Sequence, residues 1–248
     1  MSIVDFLIYS VSFAVFIFLV YTVFNQRFNL FSNKKKNGFL ILGLPDSGKT
    51  TIWAWFRYII LLPTQTSIKI NDEEVEIQAM DRNRKAHLID IPGNPKIRPQ
   101  FSQYLPICTG ILFVIDSSKI SENYHSVAEF LYQILVSNLV FENEIPILFV
   151  CNKRDIEKSI DKSAIQDILE AELEELRNTQ SNALDKHDDN GDFQNEVFLG
   201  LDGAKFKFSQ LPNQITFMET SFTTSVDKLP VIVGTSDLLS WVMDQLDE

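Results

Sequence analysis

Residues 38–50 read Gly-Phe-Leu-Ile-Leu-Gly-Leu-Pro-Asp-Ser-Gly-Lys-Thr. Gly38–Leu42 is a short apolar run of the kind that forms a buried parallel strand. Gly43–Thr50 follows directly and is a complete G-x-x-x-x-G-K-T motif. The next residues, 51–62, predict a helix that packs on a sheet, and a strand, a glycine loop and a helix form the context that the motif requires. The large apolar residues of that helix are Trp53, Trp55, Phe56, Ile59 and Ile60.

The loop motif implies a specific chemistry. Its glycines allow successive backbone N–H groups to point inward as an anion nest, and the start of the helix adds partial positive charge. Lys49 is predicted to reach the β- and γ-phosphates of a nucleotide, and the Thr50 hydroxyl is predicted to ligate Mg²⁺. The residues predicted to form this phosphate site are Gly43, Asp46, Ser47, Gly48, Lys49, Thr50 and Thr51.

Three further apolar strands are predicted along the chain. His87–Gly93 contains Asp90, which is placed to hold Mg²⁺ through water, and Gly93, whose N–H can contact a γ-phosphate. Ile111–Asp116 and Ile147–Cys151 are the other two. Strands that alternate with helical stretches predict an α/β fold, a doubly wound and mostly parallel sheet flanked by helices.

The last of these strands runs into Asn152-Lys153-Arg154-Asp155, an N-K-x-D motif. The carboxyl end of a strand is where open α/β sheets bind ligands. The Asp155 carboxylate can accept hydrogen bonds from the N1–H and the 2-amino group of guanine, whereas adenine would leave the charge unpaired. A solvated turn would explain the four residues in isolation, but their position favours a guanine nucleotide, GTP or GDP, bound with Mg²⁺ by Asn152, Lys153 and Asp155.

Composition limits the class of function. The 248 residues include 22 Lys+Arg against 33 Asp+Glu, a net charge of -11, so direct DNA or RNA binding is not expected. Cys108 and Cys151 are the only cysteines, too few for a disulfide framework, and they predict a reducing compartment.

Residues 6–24 carry no formal charge and are dominated by Phe, Val, Ile, Leu and Tyr. As a helix this run would span about 28 Å, close to the ~30 Å hydrocarbon core of a bilayer, so 1–24 is predicted to be a single-pass transmembrane anchor. A cleaved signal peptide and a buried core helix are the alternatives. Arg27 and Lys34–Lys36 follow the run, so the positive-inside rule predicts a basic linker at 25–37 and a cytosolic domain at 38–248.

The second half of that domain has three recognisable segments. Residues 161–178 have apolar side chains at helical spacing and predict an amphipathic surface helix. Residues 178–196 are polar and predict a flexible insertion. The last strand is predicted at 215–218 and a closing helix at 236–246.

Taken in order, the motifs at Gly43–Thr50, Asp90–Gly93 and Asn152–Asp155 resemble those of Ras/Arf-type small GTPases. Within that superfamily the chain is similar to the signal recognition particle receptor beta subunit family, whose members combine an N-terminal transmembrane helix with a GTPase domain. The resemblance covers essentially the whole chain. The stretch at 203–212, Gly-Ala-Lys-Phe-Lys-Phe-Ser-Gln-Leu-Pro, contributes to it, and Phe-Lys-Phe-Ser-Gln-Leu-Pro at 206–212 is its most specific part.

The resemblance implies three further site residues. Thr64 occupies the place of the Mg²⁺-ligating threonine of Arf-type proteins, and Thr66 is the alternative. Ser221 lies where small GTPases place a loop against the base. Asn94 stands where many of them carry a Gln that orients the attacking water, and its shorter side chain predicts weak water positioning and slow intrinsic hydrolysis.

The resemblance also implies partners and location. It implies that the chain holds the N-terminal domain of the receptor alpha subunit at the endoplasmic reticulum membrane, so that ribosomes making secretory proteins dock at the translocon. Two alternatives stay open: an actively cycling Arf-like GTPase of membrane traffic, and a structural anchor whose nucleotide never exchanges.

Overall fold

The computed structural model describes residues 36–79, 82–184, 198–224 and 230–247. Almost all of them belong to one compact unit, Asn37–Glu248. Within these ranges, no helix is both long and apolar enough to cross a bilayer. The predicted membrane span at 6–24 and nearly all of the predicted linker lie outside the described residues.

The centre of the unit is a six-stranded sheet. Its strands are β1 (Gly38–Leu42), β2 (Asn71–Ala79), β3 (Arg82–Asp90), β4 (Cys108–Asp116), β5 (Ile147–Asn152) and β6 (Ile215–Glu219). Their order across the sheet is β2-β3-β1-β4-β5-β6. All neighbours are parallel except β2, which pairs antiparallel with β3. The predicted α/β fold with a mostly parallel sheet is confirmed.

Helices cover both faces of this sheet. Among the described residues they are α1 (Lys49–Tyr58), α2 (Ile120–Leu135), α3 (Asn138–Glu142), α4 (Lys162–Leu184) and α5 (Thr235–Asp247). Three short 3-10 segments lie at Arg98–Gln103, Leu105–Ile107 and Phe208–Gln210. A separate antiparallel hairpin pairs β7 (Ser221–Thr224) with β8 (Pro230–Val233).

Two hydrophobic cores result, one on each face of the sheet. Successive side chains of a strand point to opposite faces, so Leu40 and Leu42 enter the core beneath α2 and α4. Phe39 and Ile41 enter the core beneath α1 and α5. Every residue of β1 is buried, as expected for a central strand of a doubly wound sheet.

The end of α1 differs from the sequence prediction. The helix ends at Tyr58, not at residue 62, because Ile59 adopts a left-handed conformation with φ 58° while its N–H bonds to the Trp55 carbonyl at 2.7 Å. This conformation is unfavourable for a β-branched residue. The side chains of Ile59 and Ile60 are 61% and 56% exposed, so the prediction that they pack on the sheet was wrong.

The end of α4 also differs from the prediction. The helix continues to Leu184, so the first part of the predicted flexible insertion, 178–184, is helical. The Asn178 amide donates to Glu174 one turn earlier at 3.0 Å, and the Thr179 hydroxyl donates to the Glu175 carbonyl at 2.9 Å. The first of these is an i,i+4 side-chain pair of the kind that stabilises an exposed helix, whereas the second, to a backbone carbonyl, does not favour the helix by itself. Residues 185–196 lie outside the described ranges.

A buried arginine of α4 organises the irregular segment that precedes β6. Arg177 is 5% exposed and donates to the carbonyl oxygens of Leu199 and Leu201, both at 3.1 Å. It also donates to the carbonyl oxygen of Ala204 at 2.7 Å and to the Glu174 carboxylate at 2.6 Å. One guanidinium therefore binds three backbone carbonyl oxygens of residues that belong to no helix or sheet.

Two carboxylates of the same helix bind backbone donors farther along the segment. Glu174 accepts from the Phe206 N–H at 2.7 Å, and Glu170 accepts from the Phe208 N–H at 3.1 Å. We call Glu170, Glu174 and Arg177 the α4 clasp. Phe206 and Phe208 are each 2% exposed, so the clasp holds the stretch at 203–212 while its aromatic side chains complete the core beneath α4.

Replacing Arg177 by Ala should lower the free energy of unfolding by about 3 kcal/mol or more, because three carbonyls and a carboxylate lose a buried charged partner. Arg57→Ala is the matched control, since Arg57 and its partner Glu73 are 41% and 44% exposed and such a pair contributes less than about 1 kcal/mol. Urea titration of the purified chain measures both. Equal losses for the two variants would contradict a stabilising role for the clasp.

Candidate nucleotide-binding site

A cleft of about 280 Å³ lies at the carboxyl edge of the parallel strands. The loop after β1, the loop between α1 and β2, the turn after β3 and the turn after β5 contribute its walls. The lining residues are Asp46, Gly48, Lys49, Thr50, Thr51, Thr64, Gln65, Thr66, Ser67, Pro92, Gly93 and Lys153. The structure therefore brings together four segments that are far apart in the sequence.

The loop after β1 requires glycine at both ends. Gly43 has φ 139°, and a Cβ there would lie 2.2 Å from the Val114 carbonyl oxygen. Gly48 has φ 99°, and a Cβ there would lie 2.3 Å from the Asn152 amide nitrogen. Side chains are excluded at both positions by backbone conformation and by contact with neighbouring strands. The loop leads into the start of α1, where the first backbone N–H groups of a helix have no partner within the helix, and a phosphate nest is built from such groups.

Lys49 brings positive charge to the floor of this loop. Its side chain is nearly buried, at 5% exposure, and its ammonium donates to the Leu44 carbonyl at 2.6 Å. Burial lowers the pKa of Lys49 to about 8, although Asp90 and Asp46 act in the opposite direction. An additional negative charge in the cleft would favour the protonated ammonium.

Asp90 lies at the end of β3 and collects hydroxyl and amide donors. One of its carboxylate oxygens accepts from Thr50 at 2.8 Å, from Asn71 at 2.9 Å and from Ser67 at 3.3 Å. The other oxygen, Oδ1, is fully buried and has no hydrogen-bond partner. The Thr50 and Ser67 hydroxyls are themselves 2.8 Å apart.

These residues fit a Mg²⁺ ion that is held mainly by hydroxyl, water and phosphate oxygens. The unpartnered Oδ1 of Asp90 is a buried acceptor, which an Mg²⁺-bound water could satisfy. In the described part of the chain, no group of three or more His, Cys, Asp or Glu side chains could hold a metal ion alone.

The two threonines that the resemblance implies as Mg²⁺ ligands line the cleft, but their hydroxyls bond to residues other than Thr50 and Asp90. The Thr64 hydroxyl lies 2.8 Å from the Thr51 hydroxyl, and the Thr66 hydroxyl donates to Asp46 at 2.7 Å. The hydroxyl that joins Thr50 and Asp90 is that of Ser67, which the sequence analysis did not select. Residues 64–67 all have hydroxyl or amide side chains, so the sequence gave no signal for choosing among them.

The N-K-x-D motif is tied to the phosphate loop. The Asn152 amide donates to the Ser47 carbonyl at 3.0 Å, and the Lys153 ammonium donates to the Asp46 carbonyl at 2.6 Å. Asn152 in turn accepts from the Thr220 hydroxyl at 3.2 Å. The structure thus joins the turn after β5 to the loop after β1 and to the end of β6.

Asp155 and Ser221 form a pair beside this turn. The Ser221 hydroxyl donates to Asp155 Oδ1 at 2.6 Å. The Asp155 carboxylate is exposed, and its Oδ2 stays available for another donor. The bond from Ser221 sets the orientation of the carboxylate, and Ser221 was predicted as a site residue only from the family resemblance. Neither residue lines the cleft itself. Their roles as base contacts stay predictions.

Asn94 is exposed and its side chain is directed into its own loop. Its Oδ1 accepts from the Lys96 N–H at 2.9 Å, while its carbonyl accepts from the N–H groups of Ile97 and Arg98, both at 2.9 Å. This is an Asx turn, a common use of an Asn side chain. The weak water positioning by Asn94 stays a prediction.

Three comparisons with known proteins bear on the site. Residues 34–215 match the family model described as signal recognition particle receptor beta subunit. Signal recognition particle receptor subunit beta of Dictyostelium discoideum is 32% identical over 196 residues, which cover 77% of this chain and 65% of that protein. The chain thus spans about two thirds of the length of that relative.

Two solved structures have the same fold. A structure of the mammalian SRP receptor matches with a TM-score of 0.70 at 32% identity, over 84% of this chain and 99% of that one. The SRb-GTP/SRX complex of the signal recognition particle receptor from Chaetomium thermophilum matches with a TM-score of 0.63 at 20% identity, over 85% and 99% of the two chains. The second likeness concerns the fold alone. On the family match and these identities, the chain belongs to the signal recognition particle receptor beta subunit family.

Proposed function

We propose that the chain is a membrane-anchored GTP-binding subunit of a signal recognition particle receptor, and that GTP orders its surface loops for the alpha subunit. The observation that carries this proposal is the bond network between the phosphate loop and the N-K-x-D turn. Asn152 and Lys153 hold that turn on the loop, and Asp155 keeps a carboxylate oxygen available beside it. A nucleotide that reached from the loop to Asp155 would be bound at both its phosphates and its base.

At the phosphate end, backbone N–H groups and the Lys49 ammonium would bind the β- and γ-phosphates. Mg²⁺, when bound, would neutralise phosphate charge. Thr50 and Asp90 would hold the ion, and we assign the remaining protein hydroxyl to Ser67 in preference to Thr64, because Ser67 already contacts both.

At the base end, Asp155 would accept hydrogen bonds from the N1–H and 2-amino groups of guanine. The bond from Ser221 fixes the carboxylate, so its orientation need not be established during binding. Adenine offers neither donor at these positions, and ATP would therefore leave the carboxylate unsatisfied.

The segment at 59–70 would be the loop that responds to nucleotide. Three hydroxyls along it, those of Thr64, Thr66 and Ser67, bond to residues of the phosphate loop, α1 or Asp90. A γ-phosphate and its Mg²⁺ would enter among these contacts and rearrange them. The same segment carries the exposed side chains of Ile59, Ile60 and Ile68, so its conformation would determine an apolar surface offered to a partner.

We assign that surface to the N-terminal domain of the receptor alpha subunit. The Chaetomium thermophilum structure is a complex of SRb-GTP with SRX, so a GTP-bound chain of this fold carries a partner there. Hydrolysis would be slow, because the Asn94 side-chain oxygen already accepts a hydrogen bond from the Lys96 N–H and is not directed at an attacking water. The apolar residues 6–24 would anchor the chain in the endoplasmic reticulum membrane with the GTPase domain in the cytosol.

Nucleotide affinity should depend on pH through Lys49. In the free chain the pKa of Lys49 is lowered to about 8, and the phosphates require the protonated form. Affinity for GDP should be highest below pH 8 and fall by up to about tenfold per pH unit above it. Fluorescence titration with mant-GDP from about pH 6.5 to 9 measures this, and Lys49→Arg, which stays charged, should lose the slope. A flat wild-type profile would count against Lys49 as the phosphate ligand.

The substitution Asp155→Asn should change the preferred base. An amide that donates where the carboxylate accepted would match the 2-carbonyl of xanthine, so affinity for GTP should fall by about a hundredfold or more and affinity for XTP should rise. Competition between unlabelled nucleotides and mant-GDP measures both. Asp202→Asn, an exposed substitution in a surface turn, is the control. Unchanged selectivity in Asp155→Asn would exclude Asp155 as the base contact.

The GTP-loaded chain should bind the alpha subunit N-terminal domain more tightly than the GDP-loaded chain. The γ-phosphate would order the segment at 59–70, which then presents one surface instead of many. Surface plasmon resonance with full-length chain in nanodiscs, loaded with a non-hydrolysable GTP analogue or with GDP, measures the difference. Equal affinities in the two states would rule out a nucleotide-dependent interface.

A further inference from the structure

Asp116 is an acidic residue that no motif of the sequence analysis selected as a site residue. It is the last residue of β4 and lies in register with Asn152, the last residue of β5. Its Oδ2 accepts from the Lys153 ammonium at 2.6 Å, and the side chains of the pair are 12% and 29% exposed. The same ammonium donates to the Asp46 carbonyl at 2.6 Å, so Lys153 connects β4 to the phosphate loop.

The carboxylate of Asp116 is itself held in place. Its Oδ1 accepts from the Ser118 N–H at 3.0 Å and from the Ser118 hydroxyl at 2.6 Å. Burial alone would raise the pKa of Asp116, but the hydrogen bonds from Lys153 and Ser118 outweigh it and hold the pKa below its ordinary value. Both carboxylate oxygens are used, and the side chain has one fixed orientation.

Lys153 needs such a restraint. Its backbone has φ 63°, a left-handed conformation that a long side chain seldom adopts and that surrounding contacts must maintain. A flexible lysine also loses much rotamer freedom when its ammonium is fixed. Asp116 supplies an ionic partner that orders Lys153 before any ligand arrives, which lowers the cost of ordering it on binding.

Both oxygens of Asp116 already accept hydrogen bonds from Lys153 and Ser118, so Asp116 would act through Lys153, which lines the cleft. We propose that Asp116 is a positioning residue for guanine nucleotide, which fixes Lys153 on the Asp46 carbonyl and thereby sets how long the nucleotide stays bound. This inference rests on the proposed function, since it concerns the same site. Base choice stays with Asp155.

Asp116 has two opposite physical effects on nucleotide binding, so the direction in which its removal changes the release rate distinguishes them. A carboxylate near polyphosphate repels it, so its removal would tighten binding if charge alone mattered. Positioning predicts the reverse, because an unrestrained Lys153 would leave the Asp46 carbonyl and the turn that carries Asp155. The rate of nucleotide release therefore distinguishes the two effects.

The experiment measures mant-GDP release from full-length chain in detergent by stopped flow, for wild type, Asp116→Asn, Lys153→Met and the double variant. Asp116→Asn keeps the acceptor for Ser118 but removes the charge. It should release mant-GDP about tenfold faster, because an Asn that keeps its oxygen on Ser118 turns its NH2 group toward the Lys153 ammonium, and that group cannot accept the hydrogen bond. In the Lys153→Met background, Asp116→Asn should cause no further acceleration.

Asp202→Asn controls for the loss of one carboxylate, and it should release mant-GDP at the wild-type rate. The ratio of GDP to ADP affinity should be the same in Asp116→Asn as in wild type. Unchanged or slower release in Asp116→Asn would overturn the proposal, and so would an equal acceleration in the Lys153→Met background, which indicates a merely structural effect. If wild type itself retains no guanine nucleotide, the proposed function fails together with this inference.

Discussion

The contact between Gly48 and the Asn152 side chain is the constraint on which the site depends. The Asn152 amide reaches the Ser47 carbonyl at 3.0 Å, and a Cβ on Gly48 would lie 2.3 Å from that amide. Only glycine permits the approach. Without it, the phosphate loop and the N-K-x-D turn would separate, and one ligand could not span both. The two motifs are about a hundred residues apart in sequence, yet two hydrogen bonds join them, from Asn152 to the Ser47 carbonyl and from Lys153 to the Asp46 carbonyl.

The positive charge at the cleft is largely offset by neighbouring carboxylates. Lys49 and Lys153 bring positive charge, but each has acidic neighbours, Asp90 and Asp46 for the first and Asp116 for the second. A cleft with so little net positive charge, in a chain of net charge -11, cannot hold a polyphosphate by lysines alone. For the proposed nucleotide, backbone N–H groups and a divalent cation would supply the remainder. The unpartnered oxygen of Asp90 is consistent with that need.

The sequence predicted those parts of the molecule that are encoded locally. β1, the glycine loop and β5 could be recognised because a buried parallel strand is a continuous apolar run and because glycines mark the turn. The edge strand β2 was not predicted, since only Val75 and Ile77 of its nine residues are buried. Ser67 and Asp116 were missed for another reason: their roles come from partners in other strands and loops, and no spacing along the chain records such contacts.

The contacts of the α4 clasp differ in strength from those of the segment at 59–70, and this difference fits a nucleotide-dependent switch. The α4 clasp contains two buried charged groups, Glu170 and Arg177, each of which is costly to leave unpaired. The segment at 59–70 is held by the hydroxyls of Thr64, Thr66 and Ser67, of which the first bonds to a hydroxyl and the other two to carboxylates. Such bonds contribute about 0.5–1.5 kcal/mol net between neutral groups and about 1.5–3 kcal/mol to a charged group. The free energy gained by binding a phosphate and a metal ion can exceed that of a few such hydrogen bonds, but not that of the α4 clasp. Nucleotide would therefore move the loop and leave the stretch at 203–212 in place.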